Sequence, residues 1–377
     1  MKTKILLPMA AMAIALASAC SSNGSKSGAD STGADSSMVP ADSNSSTAIK
    51  SAGPAPEWAP SIKPEMQAVM EKLASYGDKP IETLTPAEAR KNHTPTDAVM
   101  DLMKEHNIPK PVFKIDTMGK DIPVDGGNIH LRIYTPNTGS GPFPIVVYYH
   151  GGGFVIANLD VYDAAPSVMA DKLGAVVVSV AYRKAPEFKF PTAHNDAFAA
   201  YKWVVANAAS IKGDPKKIAV SGESAGGNLA TNVAIMARDK GVMLPTAIVA
   251  VYPVAGADMN TASYVKFAAA KPLNKPMMGW FVKHYLNSMA EAKDPRINLV
   301  AANLKGLPPT TIITAEIDPL QSDGMMLADK LKAAGVTVDS KNYDGVTHEF
   351  FGMGTIVPEA KDAEEYAVAQ LKKAFGM

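Results

Sequence analysis

Residues 217–227 read KIAVSGESAGG, an apolar run followed by the pattern Gly-x-Ser-x-Gly around Ser224. We predict a strand over Lys217–Ser221 and a helix after Ser224, because the residues that follow are rich in alanine. Glycines on both sides of the serine, Gly222 and Gly226, allow a strained turn that exposes the hydroxyl. The helix N-terminus behind it favours developing negative charge. The stretch therefore indicates a nucleophilic serine rather than a plain glycine-rich turn.

Apolar runs alternate with helical segments on both sides of this stretch. Most of the runs are continuous, which is typical of strands buried on both faces of a parallel sheet. Residues 111–135 read as antiparallel leading strands, with a hairpin signal at Asp125-Gly126-Gly127. Right-handed crossovers then give a three-layer α/β domain. The candidate strands are 145–149, 175–181, 217–221, 246–252, 310–315 and 336–343, and the candidate helices are about 160–173, 192–208, 225–240, 322–334 and 358–375.

A helical region precedes the sheet. Thr85-Pro86-Ala87-Glu88 has the pattern of a helix start, with the threonine as N-cap. We predict a helical cap over residues 57–110 and a catalytic domain over residues 111–377, with a further cap insertion at about 258–285. We interpret the larger apolar side chains of the two cap segments as core packing rather than as an acyl pocket. These are Met66, Met70, Met277, Met278, Trp280 and Phe281.

The sequence His150-Gly151-Gly152-Gly153-Phe154 follows the first long candidate strand. Three consecutive glycines cost backbone entropy, and their use is to let amide groups approach a ligand closely. Together with the amide of Ala225 they would form an oxyanion hole. We interpret His150 as a brace for this loop rather than as a catalytic base.

The serine needs a base, and the base needs a carboxylate. Of the seven histidines, His348 alone follows a late candidate strand, in what reads as a loop over residues 344–347. For the acid we favour Asp318, because it ends the candidate strand Thr310–Ala315 at the sheet edge where such groups are held. Glu316 and Asp344 are the alternatives.

Several sequence blocks of the chain resemble those of a known family. HGGGF at 150–154, AYRKAPE at 181–187, GESAGG at 222–227, IDPL at 317–320 and THEFFGM at 347–353 occur in the order found there. Over residues 57–377 the chain resembles the hormone-sensitive-lipase-like branch of the α/β hydrolases, the bacterial family IV esterases. The resemblance implies an α/β-hydrolase fold with a mostly parallel sheet and an N-terminal helical cap.

The resemblance also implies a function. It implies a serine carboxylesterase for short- to medium-chain acyl esters, without metal or cofactor, whose triad is Ser224, Asp318 and His348. Gly152, Gly153 and the Ala225 amide would form the oxyanion hole, supported by the motif residues His150, Gly151, Gly222, Glu223 and Gly226. The chain departs from the family pattern in two places: Glu223 replaces the usual aspartate, and Glu349 replaces a frequent glycine.

Other activities use the same residues. An amidase or an arylformamidase would share the triad, and a true lipase would need a larger lipid site. A non-catalytic binding protein is less compatible, because all three triad candidates are present.

The first residues predict export. Lys2 and Lys4 precede an apolar segment, and Cys20, the single cysteine, stands where the signal ends. We expect residues 1–19 to be a signal peptide and Cys20 to be lipidated, as in bacterial lipoproteins of the cell envelope; simple secretion is the alternative. Of the 36 residues from 21 to 56, 24 are Ser, Ala, Gly or Pro. Residues 20–56 therefore read as a lipidated cysteine with a flexible tether.

The composition excludes several other classes of function and site. The 377 residues contain 37 Lys and Arg and 37 Asp and Glu, so the formal net charge is zero. A balanced charge gives no field that would attract nucleic acid or an anionic membrane surface. One cysteine excludes an internal disulfide and a cysteine-rich zinc site. We expect a small-molecule ester as the ligand, no nucleic acid, and membrane contact through the lipid anchor only.

Overall fold

The computed structural model describes residues 49–377. The predicted signal peptide, Cys20 and most of the predicted tether lie outside these residues. The end of the tether corrects the sequence interpretation, because it packs against the first helix instead of being free. Ile49 is buried, and the amides of Ala52 and Gly53 donate to the Glu71 carboxylate at 2.7 and 3.2 Å. The folded part thus begins earlier than residue 57.

One eight-stranded sheet forms the centre of the described part, in the order β1-β2-β4-β3-β5-β6-β7-β8. β1 and β2 form an antiparallel hairpin, and β2 also pairs antiparallel with β4. All the other pairs are parallel. The strands are β1 (Ile115–Val124), β2 (Gly127–Pro136), β3 (Phe143–Tyr149), β4 (Val176–Ala181), β5 (Gly213–Glu223), β6 (Ile248–Val251), β7 (Thr310–Ile317) and β8 (Val338–Thr347).

Helices cover both faces of the sheet. α5 and α6 contribute to the apolar core on one face, and α4 and α10 contribute to the core on the other. Side chains of β3 alternate between the two cores, with Val147 in the first and Val146 in the second. The continuous apolar runs are therefore buried on both faces, as predicted. The helices are α1 (Pro64–Ser75), α2 (Pro86–Ala89), α3 (Pro95–Glu105), α4 (Ala164–Leu173), α5 (Thr192–Asn207), α6 (Ala225–Asp239), α7 (Ala262–Lys266), α8 (Lys275–Tyr285), α9 (Gln321–Ala333) and α10 (Pro358–Phe375).

The sequence prediction of β8 was too short. Residues 344–347 belong to the strand, although Asp344-Gly345 has the composition of a turn. The register between β7 and β8 shifts between Ala315 and Ile317, and Ile317 then pairs with Thr347. The irregular register accommodates Gly345 within the strand, and the Gly345 amide donates to the Glu316 carboxylate at 2.8 Å.

Helices α1 to α3 precede the sheet, and α7 and α8 follow β6. α2 begins with the predicted capping box: the Glu88 amide donates to Thr85 Oγ1, and the Thr85 amide donates to the Glu88 carboxylate at 2.9 Å. Trp280 of α8 donates from its indole nitrogen to the Leu84 carbonyl at 2.9 Å, which joins the two cap segments. Within residues 49–377, no helix is long and apolar enough to cross a membrane.

Candidate active site

Ser224 occupies a strained turn between β5 and α6. Its backbone has φ 55° and ψ −115°, a combination that residues with a Cβ rarely adopt. Steric crowding requires glycine at both positions that flank the Glu223–Ala225 turn. A Cβ on Gly226 would lie 1.8 Å from the Tyr149 carbonyl oxygen, and one on Gly222 would lie 2.3 Å from the Gly226 carbonyl oxygen. The tight turn predicted for this motif is thus present, and it sets Ser224 at the N-terminus of α6.

Asp318 and His348 meet at the ends of neighbouring strands. Asp318 follows β7, His348 follows β8, and His348 Nδ1 lies 2.7 Å from Asp318 Oδ2. Both side chains are almost completely buried. Burial alone would lower the pKa of His348, but the charge and the hydrogen bond of Asp318 outweigh it and raise the pKa above its ordinary value of 6.5. The imidazole is therefore held in one orientation, and its Nε2 has no hydrogen-bond partner within residues 49–377.

The alternative acids lie elsewhere. Glu316 accepts hydrogen bonds from the Ser61 hydroxyl at 2.9 Å and from the Gly345 amide. Asp344 accepts from the Asn342 side chain at 2.7 Å. Both side chains are engaged away from His348, so the geometry favours Asp318 as its partner.

A cavity of about 600 Å³ lies between the sheet edge and the cap. Ser224, His348, Gly152 and Gly153 all line it, so the structure brings these predicted residues to one space. Within the described residues, no hydrogen bond joins the Ser224 hydroxyl to His348. Such bonds are often long without substrate and tighten when it binds.

The glycine loop shares the cavity wall with Ser224. Gly152 and Gly153 have φ of 91° and 58°, which favours glycine at both positions. A Cβ on Gly153 would also lie 2.3 Å from Phe281 Cδ1. The amides of Gly152, Gly153 and Ala225 have no acceptor among residues 49–377, and Ala225 stands at the first position of α6, where amides have no partner within the helix. These free donors can stabilise a developing oxyanion by donating hydrogen bonds to it.

His150 braces the same loop. Its Nδ1 lies 2.8 Å from the Gly151 carbonyl oxygen, and its ring stacks on Tyr182 with centroids 4.3 Å apart. The Tyr182 hydroxyl also donates to the carbonyl oxygens of His150 and Gly151 at 2.9 and 3.1 Å. Burial lowers the pKa of His150 to about 3. A neutral imidazole held in this way fits the interpretation of a brace.

The two departures from the family pattern lie next to the predicted nucleophile and base. Glu223 is buried, and its two carboxyl oxygens accept hydrogen bonds from the hydroxyls of Tyr148 and Tyr252. Burial raises the pKa of Glu223 to about 8. Glu349 accepts a hydrogen bond from the Tyr162 hydroxyl at 2.6 Å, and burial raises the pKa of this carboxyl as well.

The cap supplies more of the cavity wall than the sequence indicated. Met70, Met277, Met278 and Phe281 line the cavity, so the interpretation of these side chains as packing alone was incomplete. Met66 and Trp280 are buried without lining it. Sequence reasoning also missed other wall residues, because no motif marks them. Among these are Asp78, His93 and Tyr162. Lys184 and Glu349 also line the cavity, and they lie in the sequence blocks AYRKAPE and THEFFGM.

Polar anchors hold the cap to the catalytic domain. Arg90 donates from Nε to the Val155 carbonyl at 2.9 Å and from Nη2 to the Ala185 carbonyl at 2.6 Å. Its guanidinium also forms a bidentate pair with Glu187 at 2.8 Å for each bond. In the described part of the chain, no cluster of three or more His, Cys, Asp and Glu side chains could hold a metal ion.

Comparison with known proteins agrees with this geometry. Residues 146–352 match a family described as "alpha/beta hydrolase fold". Carboxylesterase NlhH of Mycobacterium tuberculosis is 36% identical over 293 residues, which cover 77% of this chain and 88% of that protein. Ethyl acetate hydrolase of Pseudomonas putida is 34% identical over 66% of this chain and 80% of its own length.

Solved structures give the same result. A thermostable esterase from Pseudomonas putida superimposes with a TM-score of 0.77 at 33% identity, over 84% of this chain and 98% of that one. The chain belongs to the α/β-hydrolase family, in its hormone-sensitive-lipase-like branch. The resemblance and the fold predicted from the sequence motifs are thus confirmed. Its named relatives place it among the carboxylic ester hydrolases.

Proposed function

We propose that the protein is a serine carboxylesterase that hydrolyses short- to medium-chain acyl esters through an acyl-enzyme intermediate. The observation that carries the proposal is the cavity of about 600 Å³ onto which Ser224, His348 and the glycine loop all open. The hydrogen bond of 2.7 Å between His348 and Asp318 supports the assignment of base and acid.

In the acylation step, His348 Nε2 takes the proton of the Ser224 hydroxyl as Oγ attacks the ester carbonyl carbon. Asp318 keeps the imidazole in the required tautomer and stabilises the imidazolium. The amides of Gly152, Gly153 and Ala225 stabilise the oxyanion, and one such donor is worth roughly 3 to 4 kcal/mol. The imidazolium then returns its proton to the leaving alkoxide.

In the deacylation step, a water molecule takes the place of the alcohol. His348 accepts a proton from the water as its oxygen attacks the acyl carbon, and Ser224 Oγ leaves with that proton. The carboxylic acid is released and the free serine is restored. These residues complete the cycle with ester and water as the reactants.

Two observations support small esters as substrates. The cavity wall is largely apolar, with methionines and Phe281 from the cap, and its size is in the range of small-molecule sites. The Pseudomonas putida relative carries the name of ethyl acetate. Both favour a short acyl chain over a long lipid.

A panel of p-nitrophenyl esters from acetyl to palmitoyl tests the proposal, with Ser224→Ala beside the native protein. We expect the highest kcat/KM at short chains and no turnover by Ser224→Ala. Ser221→Ala is a matched control, because the Ser221 hydroxyl is buried without a hydrogen-bond partner in the described residues and lies in β5. Turnover retained by Ser224→Ala would refute the assignment; a maximum at long chains would indicate a lipase, and faster cleavage of an anilide would indicate an amidase.

We also propose, from the sequence alone, that the exported protein is anchored in the cell envelope through a lipid on Cys20. The polar, small-residue segment after Cys20 would act as the tether. Cys20→Ser should then abolish lipid labelling and move the protein from the membrane fraction to the soluble fraction. An unchanged fractionation would contradict the anchor and favour simple secretion.

A further inference from the structure

Glu349 has an unusual backbone for a residue with a long side chain. It follows His348 with φ 69°, in the left-handed region. A residue other than glycine costs on the order of 1 to 2 kcal/mol there. Its side chain is nevertheless half-buried beside the base, and its carboxyl oxygen accepts the Tyr162 hydroxyl at 2.6 Å. Strain kept in such a place points to a role for the carboxyl.

The pair Tyr162–Glu349 lies between the glycine loop and the base. A Cβ on Gly151 would lie only 2.2 Å from the Tyr162 hydroxyl, so this hydroxyl packs directly over the loop. Glu349 follows His348 in the chain. The pair therefore connects the two sides of the reacting centre.

The same pair separates two cavities. Behind the substrate cavity lies a second cavity of about 100 Å³, whose wall includes cap helix α3 and helix α4. Glu349 and Tyr162 line both cavities, together with Pro95 and Val161. A movement of the pair would thus join the two spaces.

The second cavity suits water. A water molecule needs roughly 10 to 15 Å³ of such space and two to four polar partners, so this volume has room for several. Its wall includes the polar residues Glu223, Glu349, Thr96 and Thr355. Both Glu223 oxygens accept hydrogen bonds from tyrosine hydroxyls, whereas only Oε1 of Glu349 is bonded within the described residues, so Glu349 retains an oxygen that can bind water there.

The deacylation step of the proposed reaction requires a water molecule. In the acyl-enzyme the acyl group occupies an apolar cavity, which disfavours water on the substrate side. We propose that the second cavity holds the water that hydrolyses the acyl-enzyme, and that Glu349 with Tyr162 admits it to His348. This inference rests on the proposed function. The water gives one proton to His348 Nε2 and its oxygen to the acyl carbon. The bond to Ser224 Oγ then breaks, and the imidazolium returns the proton to Oγ. Glu349 positions the water and is not consumed.

Pre-steady-state hydrolysis of p-nitrophenyl acetate separates the two steps. The burst of p-nitrophenol reports acylation and the steady rate reports deacylation. We expect Glu349→Gln and Tyr162→Phe to slow deacylation about tenfold, the effect of one lost hydrogen bond, with acylation unchanged. Tyr201→Phe is the matched control, because its buried hydroxyl bonds the Met243 carbonyl away from both cavities.

A third variant leaves the pair intact. Ala164 lines the second cavity and not the substrate cavity, so Ala164→Leu fills the former alone. With butanol added, each of the three variants should yield a higher ratio of butyl acetate to acetate than the native protein, since the alcohol enters from the substrate side. Equal slowing of acylation and deacylation, or an unchanged product ratio in Ala164→Leu, would overturn the inference. Failure of the native protein to acylate Ser224 would instead refute the proposed function on which it rests.

Discussion

The ring of Tyr252 packs against the imidazole of His348, with 4.4 Å between the ring centroids. The hydroxyl of the same tyrosine donates to Glu223, the residue before Ser224. A single side chain thus links the acid beside the predicted nucleophile to the predicted base. Glu223 is part of the support of the site, although it lies outside the cavity wall of Ser224 and His348.

The first prediction concerns the stability of this buried carboxyl. Burial raises the pKa of Glu223 to about 8 from an ordinary 4.5. The unfolded chain therefore loses this proton first, and the free energy of unfolding falls as the pH rises between about 4.5 and about 8. Glu223→Gln cannot ionise, so its Tm relative to the native protein should be higher at pH 9 than at pH 5. The corresponding free energy is on the order of 4 kcal/mol.

Glu187→Gln is the control for this measurement. The ion pair with Arg90 lowers the pKa of Glu187 to about 2, so its contribution changes only at acid pH. Its Tm difference from the native protein should be the same at pH 5 and pH 9. Thermal unfolding followed by circular dichroism measures both. An equal difference at the two pH values for Glu223→Gln would contradict the prediction.

The second prediction concerns the acid of the triad. Asp318→Asn should lower kcat by about 10⁴-fold, because the amide no longer favours the required tautomer of His348. The base must be neutral, so the activity of the native protein should rise with pH through the raised pKa of His348, above 6.5. Without the Asp318 carboxylate, burial of the imidazole lowers the pKa of His348. The acid limb of the kcat/KM profile should therefore move to lower pH.

A pH profile of kcat/KM from pH 4 to pH 9 tests this. Asp323→Asn serves as a control, because Asp323 is also buried but accepts from the amides of Ala255 and Gly256 at 3.1 and 2.7 Å instead of from the histidine. Its acid limb should coincide with that of the native protein. An acid limb that stays in place in Asp318→Asn would show that another group holds His348.

Much of the site was predictable because local patterns encode it. The turn at Ser224 needs glycines on both sides, and parallel strands end at one edge, so Asp318 and His348 follow from strand positions. The tyrosines could not be found in this way. Tyr162 and Tyr252 lie in no motif, and their roles depend on contacts with residues far away in the chain.

The differences in the fold have local physical causes. Asp344-Gly345 has the composition of a turn, yet the strand continues because the Glu316 carboxylate binds the Gly345 amide across the irregular register. Composition likewise predicted a free tether up to residue 56. The end of this segment is fixed by burial of Ile49 and by the Glu71 carboxylate. The average composition of the segment could not reveal the effect of one apolar residue.

The third prediction concerns the glycine loop. Gly153→Ala would place a Cβ 2.3 Å from Phe281 Cδ1 at a residue with φ 58°. The loop must shift, and the amide then loses its position at the oxyanion. We expect kcat to fall by about 10² to 10³, the loss found on removing one oxyanion donor. Steady-state kinetics with p-nitrophenyl acetate measures the change.

Gly279→Ala is the matched control for that substitution. Gly279 lies two residues before Phe281 on α8, and a Cβ there would have no atom within 4 Å. Alanine should stabilise the exposed helix position by roughly 0.5 to 1 kcal/mol and leave kcat unchanged. A Gly153→Ala protein with native kcat would exclude its amide from the oxyanion hole.

The last prediction concerns the connection of the cap to the glycine loop. Arg90 binds the Val155 carbonyl, two residues after Gly153, as well as the Ala185 carbonyl and Glu187. Arg90→Ala removes all of these bonds. We expect kcat to fall about tenfold, since the hydrogen bond that fixes the loop at the Val155 carbonyl is lost. Lysine lacks the planar fork, so Arg90→Lys should recover only part of the activity.

Glu187→Gln separates the ion pair from the carbonyl bonds. The Glu187 side chain is 54% exposed, and exposed pairs contribute little because solvent screens them. This variant retains both bonds from Arg90 to the main chain, so its kcat should stay within about twofold of the native value if the carbonyl bonds matter most. A loss in Glu187→Gln as large as that in Arg90→Ala would assign the effect to the ion pair instead. Steady-state kinetics on the three variants, at low and high salt, decides between the two, because salt weakens only the ion pair.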